Sequence, residues 1–510
     1  SLFFEAACLA TGFFGALFFV PLNGSLQNNA ENKKRGRVLS ASVLLTQASG
    51  IAMSLFYGIL SNQFGLNAKE GILVVVIPSI VIGILSFYFF FEDFFRAWVH
   101  LALKIFYRIR LVGIDNLPES GGVLLVCNHL SYADPVFIGA AFPRKVRYLA
   151  HSSLTRSRFL RYLFKVTQTL TVSSEKSFDS IRKSLKSLKE GTPLCVFAEG
   201  EISRLGLLLP FMGGSIILAK KGKVPILPVH LDGVWGSIFS MERGVFFRKK
   251  PLRIPYRVTV RAGNLIENSC ATTQSIRLKV LELGRQSFAE RMKYGADAKK
   301  ALSRQIRGSE KAVFFSSRGE KVEGKDIIQA IGAKNPDLSE EFLKWAEVIS
   351  ENLKGSERNA EIINANWVRI SEMNLWDHDV FIVEKGKGSW TSQWFPWLPM
   401  LGCRSMRILE SGFLVAKSPE FLEVTDAKRV FGMATERNGL VSINGPDPIL
   451  GPGDQEIIEQ PGMKAGTLGR VLVGFSIRNE AGRVYLHGTK EEEELTMIKR
   501  VDSGGFLIPR

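Results

Sequence analysis

Asn128-His129-Leu130-Ser131-Tyr132-Ala133-Asp134 stands one residue beyond the apolar run Val123–Val126. The run reads as a buried strand, and the heptapeptide as the loop at its end. A histidine there, with a carboxylate five residues on, supplies the parts of a hydroxyl-activating base. The imidazole takes the proton of an alcohol, while the carboxylate fixes the tautomer and stabilises the imidazolium. His129 is therefore the candidate base and Asp134 its orienting group. Asp134 precedes Pro135 and equally suits a helix N-cap, and the two roles are compatible. Asn128 is a candidate for supporting the loop or an oxyanion. In a chain with six histidines the pair alone is a weak signal.

Working outward, apolar strand patterns alternate with helical ones. A helix is predicted after Pro135, then a strand around Val146–Ala150. Helix Phe178–Lys189 follows, with Ile181, Leu185 and Leu188 on one face. Strand Pro193–Phe197, helix Gly214–Lys221 and strand Ile226–Val229 complete the series. Such alternation predicts an α/β domain with a central sheet whose loops carry the chemistry.

Three further segments stand in a telling order. Phe197-Ala198-Glu199-Gly200 closes a strand, Leu170–Ser174 with Phe178–Gly191 lies between it and His129, and Val224-Pro225-Ile226-Leu227-Pro228-Val229 follows. Together with His129 and Asp134 they resemble the conserved blocks of the glycerolipid acyltransferase superfamily over about residues 96–290. The resemblance implies an enzyme moving a fatty acyl group from acyl-ACP or acyl-CoA to a lysophospholipid hydroxyl, with no tightly bound cofactor and no metal. It also implies substrate-binding roles for Glu199 and Gly200. Ala198 replaces the family's proline. Members acting on lysophosphatidate usually carry an arginine near Val172–Ser173 and a Thr-Arg pair after the Glu-Gly, where this chain has Glu201-Ile202. Ser203 and Arg204 lie just behind, and Arg204 is a candidate phosphate contact. A phosphomonoester rewards bidentate arginine contacts. Their loss points to a phosphodiester acceptor of the 2-acylglycerophosphoethanolamine type; the alternative is 1-acylglycerol-3-phosphate acylation, which makes phosphatidate.

A net charge of +17 favours a polyanionic neighbour such as an anionic membrane face or an acidic carrier protein. No zinc-finger spacing or aromatic-basic repeat supports nucleic acid. The five cysteines show no pairing pattern, and Cys127 and Cys195 read as small core residues. Arg144, Lys145, Arg147, Arg156, Arg158, Arg161 and Lys165 form a basic region suited to an acyl carrier protein, coenzyme A phosphates or anionic lipid.

Ala6–Leu22, Val38–Leu60 and Gly71–Phe91 are uncharged apolar runs, each near the length needed to cross a bilayer. Lys33, Lys34, Arg35 and Arg37 between the first two, and the basic residues after the third, place the remainder of the chain in the cytoplasm by the positive-inside rule. Phe94–Arg110 is predicted as a helix on the membrane surface, with Arg96, His100, Lys104 and Arg108 as its basic stripe. The expected localisation is a bacterial inner membrane. The spans resemble the last helices of a major-facilitator transporter, and the chain, which opens on Ser1, reads as a fragment lacking upstream spans. Lysophospholipid transport with passenger soluble domains is the rival from another class.

Beyond about residue 295, Phe431–Glu436, Val441–Asn444, Gly466–Arg470 and Asp502–Leu507 resemble blocks of adenylate-forming acyl-CoA and acyl-ACP synthetases. The phosphate-cradling loop has only Gly386-Lys387-Gly388-Ser389 as a poor substitute, so no adenylation is expected. The predicted organisation is thus a truncated major-facilitator-like membrane segment (1–92), an α/β acyltransferase domain (93–295) and a truncated, degenerate adenylate-forming-like α/β domain (296–510). The whole resembles bacterial bifunctional acyl-ACP synthetase/2-acylglycerophosphoethanolamine acyltransferases fused to a lysophospholipid transporter.

Overall fold

The computed structural model describes residues 35–65, 105–152, 169–172, 177–242, 255–294, 431–435, 438–444, 464–488 and 492–510. It also describes short strands between 313 and 416 and scattered single positions. The chain falls into two compact units, Ser1–Tyr107 and Arg108–Arg510. The boundary expected near residue 295 lies outside the described residues.

In the first unit, helix α1 (Arg35–Phe64) contains the predicted span Val38–Leu60. It is long and apolar enough to cross a membrane. At 1.5 Å per residue it exceeds the roughly 30 Å hydrocarbon thickness, and Leu44, Leu45, Ile51, Leu55 and Ile59 are exposed along it. The first and third predicted spans lie largely outside the described residues. The predicted surface helix is corrected at its end: Ile105 and Phe106 are helical, but the chain is extended over β1 (Tyr107–Val112). Arg108 and Arg110 alternate with less exposed neighbours there. A strand's two-residue period overrides the four-residue spacing that suggested a helical stripe.

The second unit is built on a seven-stranded sheet. Its further strands are β2 (Leu124–Cys127), β3 (Arg147–His151), β4 (Leu170–Val172), β5 (Leu194–Phe197), β6 (Ile226–Asp232) and β7 (Tyr256–Ala262), in the order β1-β7-β6-β2-β5-β3-β4. Helices α2 (Asp134–Ala141), α3 (Ser177–Lys189), α4 (Gly214–Gly222) and α5 (Thr273–Tyr294) complete it. The strand–helix alternation expected from the sequence is therefore present, with β6 extending three residues further than predicted.

All four residues of β2 are wholly buried, as a central strand covered on both faces requires. Its parallel pairing with β5 sets Cys127 level with Phe197, and its pairing with β6 sets Cys127 level with Val229. Helix α3 presents Leu188, Leu185 and Ile181 to the core that includes Leu124, Leu194 and Ile226. Cys127 and Cys195 are buried free thiols inside this sheet, as their apolar surroundings predicted.

After residue 312 the longer described elements are strands, with scattered helical positions such as 361, 362, 368 and 369. Β-strands β8 (Val313–Phe315), β9 (Lys321–Glu323), β10 (Val380–Glu384), β11 (Ser405–Leu409) and β12 (Gly412–Ala416) form one sheet. Among the described residues of 431–510 are small antiparallel sheets, with Phe431–Thr435 paired to Gly439–Asn444 and Ser476–Glu480 to Arg483–His487. Gly386–Ser389 lies outside the described residues. The C-terminal sheets pack on α5, where Ser476 Oγ donates to Glu282 and Arg285 Nη1 donates to the Gly488 carbonyl at 3.0 Å.

Candidate active site

Strand register assembles the site. His129 lies two residues past Cys127 and Glu199 two residues past Phe197, so parallel pairing of β2 with β5 delivers both to one sheet edge. That edge is the carboxyl end of the strands, where open α/β sheets place ligands.

His129 Nδ1 lies 2.8 Å from Asp134 Oδ2. The same carboxylate oxygen accepts the backbone N–H groups of Leu130 (2.7 Å) and Ser131 (2.9 Å), and Oδ1 accepts the Ser131 hydroxyl at 2.5 Å. Asp134 is wholly buried as the first residue of α2. The N-cap position expected of it belongs to Ala133, which makes no side-chain cap, and the Asp134 carboxylate instead ties the preceding loop and contacts the imidazole. An acceptor-only carboxylate requires the Nδ1–H tautomer, which leaves the Nε2 lone pair for a substrate proton. The ring stacks on Phe197 with centroids 4.1 Å apart, and its side chain keeps 16% of its surface exposed. The arrangement is a pre-oriented base open on one side.

Glu199 has a different place from the glycerol contact expected of it. It is 2% exposed, and its two oxygens accept the backbone N–H groups of His129 and Leu209, each at 2.8 Å. Burial pushes its carboxyl up to about 8, against the opposing pull of the two N–H groups and of Arg277. Between pH 4.5, its ordinary value, and about 8, the folded state holds a proton that the unfolded chain has lost. Stability contributed by this group therefore declines as pH rises across that window and levels off above it. Thermal unfolding of wild type compared with Glu199→Gln across pH 5–9 is expected to show this decline in wild type alone; parallel curves would contradict it.

The remaining candidates are also held by backbone. Asn128 is 2% exposed, donates Nδ2–H to the Leu231 carbonyl (3.0 Å) and accepts the Leu231 N–H (2.7 Å). These two bonds extend the β2–β6 ladder beyond Cys127. Gly200 is exposed in a turn at φ +79°, a conformation that favours glycine. Ser203 is wholly buried; its N–H donates to the His129 carbonyl at 2.8 Å and its hydroxyl to Leu207 O at 2.7 Å. Arg204 is 6% exposed and pairs with Glu201 at 3.1 Å, so the open phosphate contact expected of it is not the arrangement seen. In the basic region, Arg144 donates to the carbonyls of Pro118, Gly121 and Gly191 and staples three turns together. Arg156, Arg158, Arg161 and Lys165 lie outside the described residues.

Sequence reading missed three contributors. Ser131 holds Asp134 Oδ1 and was legible only as part of the heptapeptide. Arg277 on α5 donates to Leu209 O (3.0 Å) and Leu208 O (2.9 Å). Gln460 accepts the Arg204 N–H at 2.9 Å and donates to Ile202 O at 3.0 Å.

A histidine held by a buried carboxylate at the mouth of an α/β sheet is an arrangement able to accept a hydroxyl proton. Comparison with known proteins specifies the class: residues 108–232 match the family model described as Acyltransferase, so the chain carries an acyltransferase-family domain. The 1-acyl-sn-glycerol-3-phosphate acyltransferase of Saccharomyces cerevisiae is 31% identical over 160 residues, which are 30% of this chain and 52% of that protein. The enzyme of the same name from Bacillus subtilis is 27% identical over 26% of this chain and 68% of its own. That of Borreliella burgdorferi is 30% identical over 31% and 66%. The chain thus spans about half the length of the yeast relative, and the family model's match, residues 108–232, lies in the α/β domain.

Proposed function

We propose that this protein transfers a fatty acyl group from a thioester, acyl-ACP or acyl-CoA, to the free hydroxyl of a lysophospholipid at a membrane surface. The observation that carries the reading is the His129–Asp134 pair, fixed by backbone on both sides of the histidine. His129 Nε2 takes the hydroxyl proton as that oxygen attacks the thioester carbonyl. Asp134 stabilises the imidazolium, and the proton passes to the departing thiolate. Glu199 acts as a positioning residue for the base, and Asn128 and Ser203 hold its loop. Helix α1 supplies a membrane anchor and lipid the partner surface.

For the acceptor, the relatives favour 1-acylglycerol-3-phosphate, the alternative in the sequence reading, over the 2-acylglycerophosphoethanolamine first expected. One observation keeps the second in play: the place of the usual Thr-Arg pair holds Glu201, whose carboxylate is already engaged by Arg204. An acidic group there opposes a doubly charged phosphomonoester. Transporter and synthetase activities receive no support from the matched segment.

The test is labelled acyl transfer in membranes carrying the full chain, with lysophosphatidate and lysophosphatidylethanolamine as acceptors and both thioester donors. Label is expected in a diacyl product, preferentially phosphatidate. Preference for the ethanolamine acceptor would reverse the headgroup assignment, and no transfer to either would remove the catalytic reading.

A further inference from the structure

Gln460 belongs to the C-terminal part of the chain, far outside the matched domain, yet it is 2% exposed and grips the loop behind Glu199. Its amide uses both ends on backbone: Oε1 accepts the Arg204 N–H at 2.9 Å and Nε2 donates to the Ile202 carbonyl at 3.0 Å. A bidentate amide fixes position and direction together, as a neighbouring strand would. Between the gripped residues lies Ser203, whose N–H holds the His129 carbonyl at 2.8 Å. The chain of contact from Gln460 to the base is therefore two hydrogen-bonded steps long.

A second route runs parallel. Arg277 holds the carbonyls of Leu208 and Leu209, the Leu209 N–H holds Glu199, and Glu199 holds the His129 N–H. The C-terminal segment closes over this arginine. Gly505 (φ +83°) comes so near that a Cβ there would fall 2.5 Å from Arg277 Nη2. Both the N–H and the C=O of His129 are thus fixed by loops that C-terminal residues touch.

We infer that Gln460 is a positioning residue for His129, making the C-terminal segment a working part of the acyltransferase site. The inference rests on the acyl-transfer reading above. Gln460 holds backbone on either side of Ser203, so its removal acts on the aim of the base and not on substrate binding. Displacing a catalytic group by about 1 Å can cost a hundredfold in rate.

The test uses the full chain in membranes, comparing wild type, Gln460→Met, Gln460→Glu and His129→Ala. Gln460→Met keeps the side chain's size and loses both hydrogen bonds. Its kcat, normalised to folded protein, is expected to fall by about 10–100-fold, with the KM of donor and acceptor within about threefold of wild type. Gln460→Glu keeps the acceptor for Arg204 N–H and is expected to lie between the two. Wild-type kcat in Gln460→Met, or a raised KM at unchanged kcat, overturns the inference. Should Gln460→Met fail to fold, Gln460→Glu decides: wild-type kcat there overturns it equally. An inactive wild type would instead sink the acyl-transfer reading, so the two failures are distinguishable.

Discussion

His129→Ala is expected to lower kcat for acyl transfer by about 10²–10⁴-fold, the usual contribution of a positioned general base. The protein should remain folded, because the imidazole is not what holds its loop. After truncation the His129 N–H still donates to Glu199 and the His129 carbonyl still accepts from Ser203. Asp134 keeps the N–H groups of Leu130 and Ser131 and the Ser131 hydroxyl, so no buried acceptor is stranded. What disappears is the Nδ1 contact with Asp134 and the stack on Phe197, at a side chain already 16% exposed. The measurement is turnover per folded enzyme in detergent, with unfolding followed in parallel. A loss below about tenfold with intact folding would falsify His129 as the base.

The same contacts explain what was legible in the sequence. His129 and Asp134 stand five residues apart on one loop, so their pairing is a local fact that the heptapeptide carries whole. The sheet was legible because β2, buried on both faces, must be a continuous apolar run. Register then places Glu199 beside His129, and the ordered blocks signalled that proximity. Glu199's role was not legible: the residue type says only that hydrogen bonds are accepted, and whether from a glycerol or from backbone depends on burial that the sheet and α5 create together. Arg204 reads as an open phosphate contact from its loop, yet it is buried and its backbone N–H is held by a residue 256 positions away. Gln460 and Arg277 were invisible for the same reason: a residue acting on backbone atoms leaves no motif of its own. Among the described residues, Tyr107–Val112 was misread where basic residues satisfied a helical period by coincidence while the apolar positions followed a strand's.

Asp134→Asn and Asp134→Ala are expected to fail in different ways, and the difference isolates the charge from the scaffold. The Oδ2 position accepts the two backbone N–H groups and the His129 Nδ1–H, so an asparagine must place its carbonyl oxygen there. Its NH2 then faces the Ser131 hydroxyl, which can rotate to accept. The loop and the tautomer survive while the negative charge is lost. A contacting opposite charge stabilises the charged form of its partner, so without it the rate should fall by roughly 10–10³-fold with the unfolding midpoint little changed. Asp134→Ala leaves the N–H groups of Leu130 and Ser131 buried without an acceptor. At about 1–3 kcal/mol for each stranded group, it should cost on the order of 2–6 kcal/mol of stability as well as the rate. Denaturant unfolding beside single-turnover rates separates the two. Equal destabilisation by both substitutions would mean that the charge itself holds the loop, and full activity in Asp134→Asn would mean that the carboxylate serves only to tie the loop. The predicted split follows from one oxygen that serves both the fold and the base.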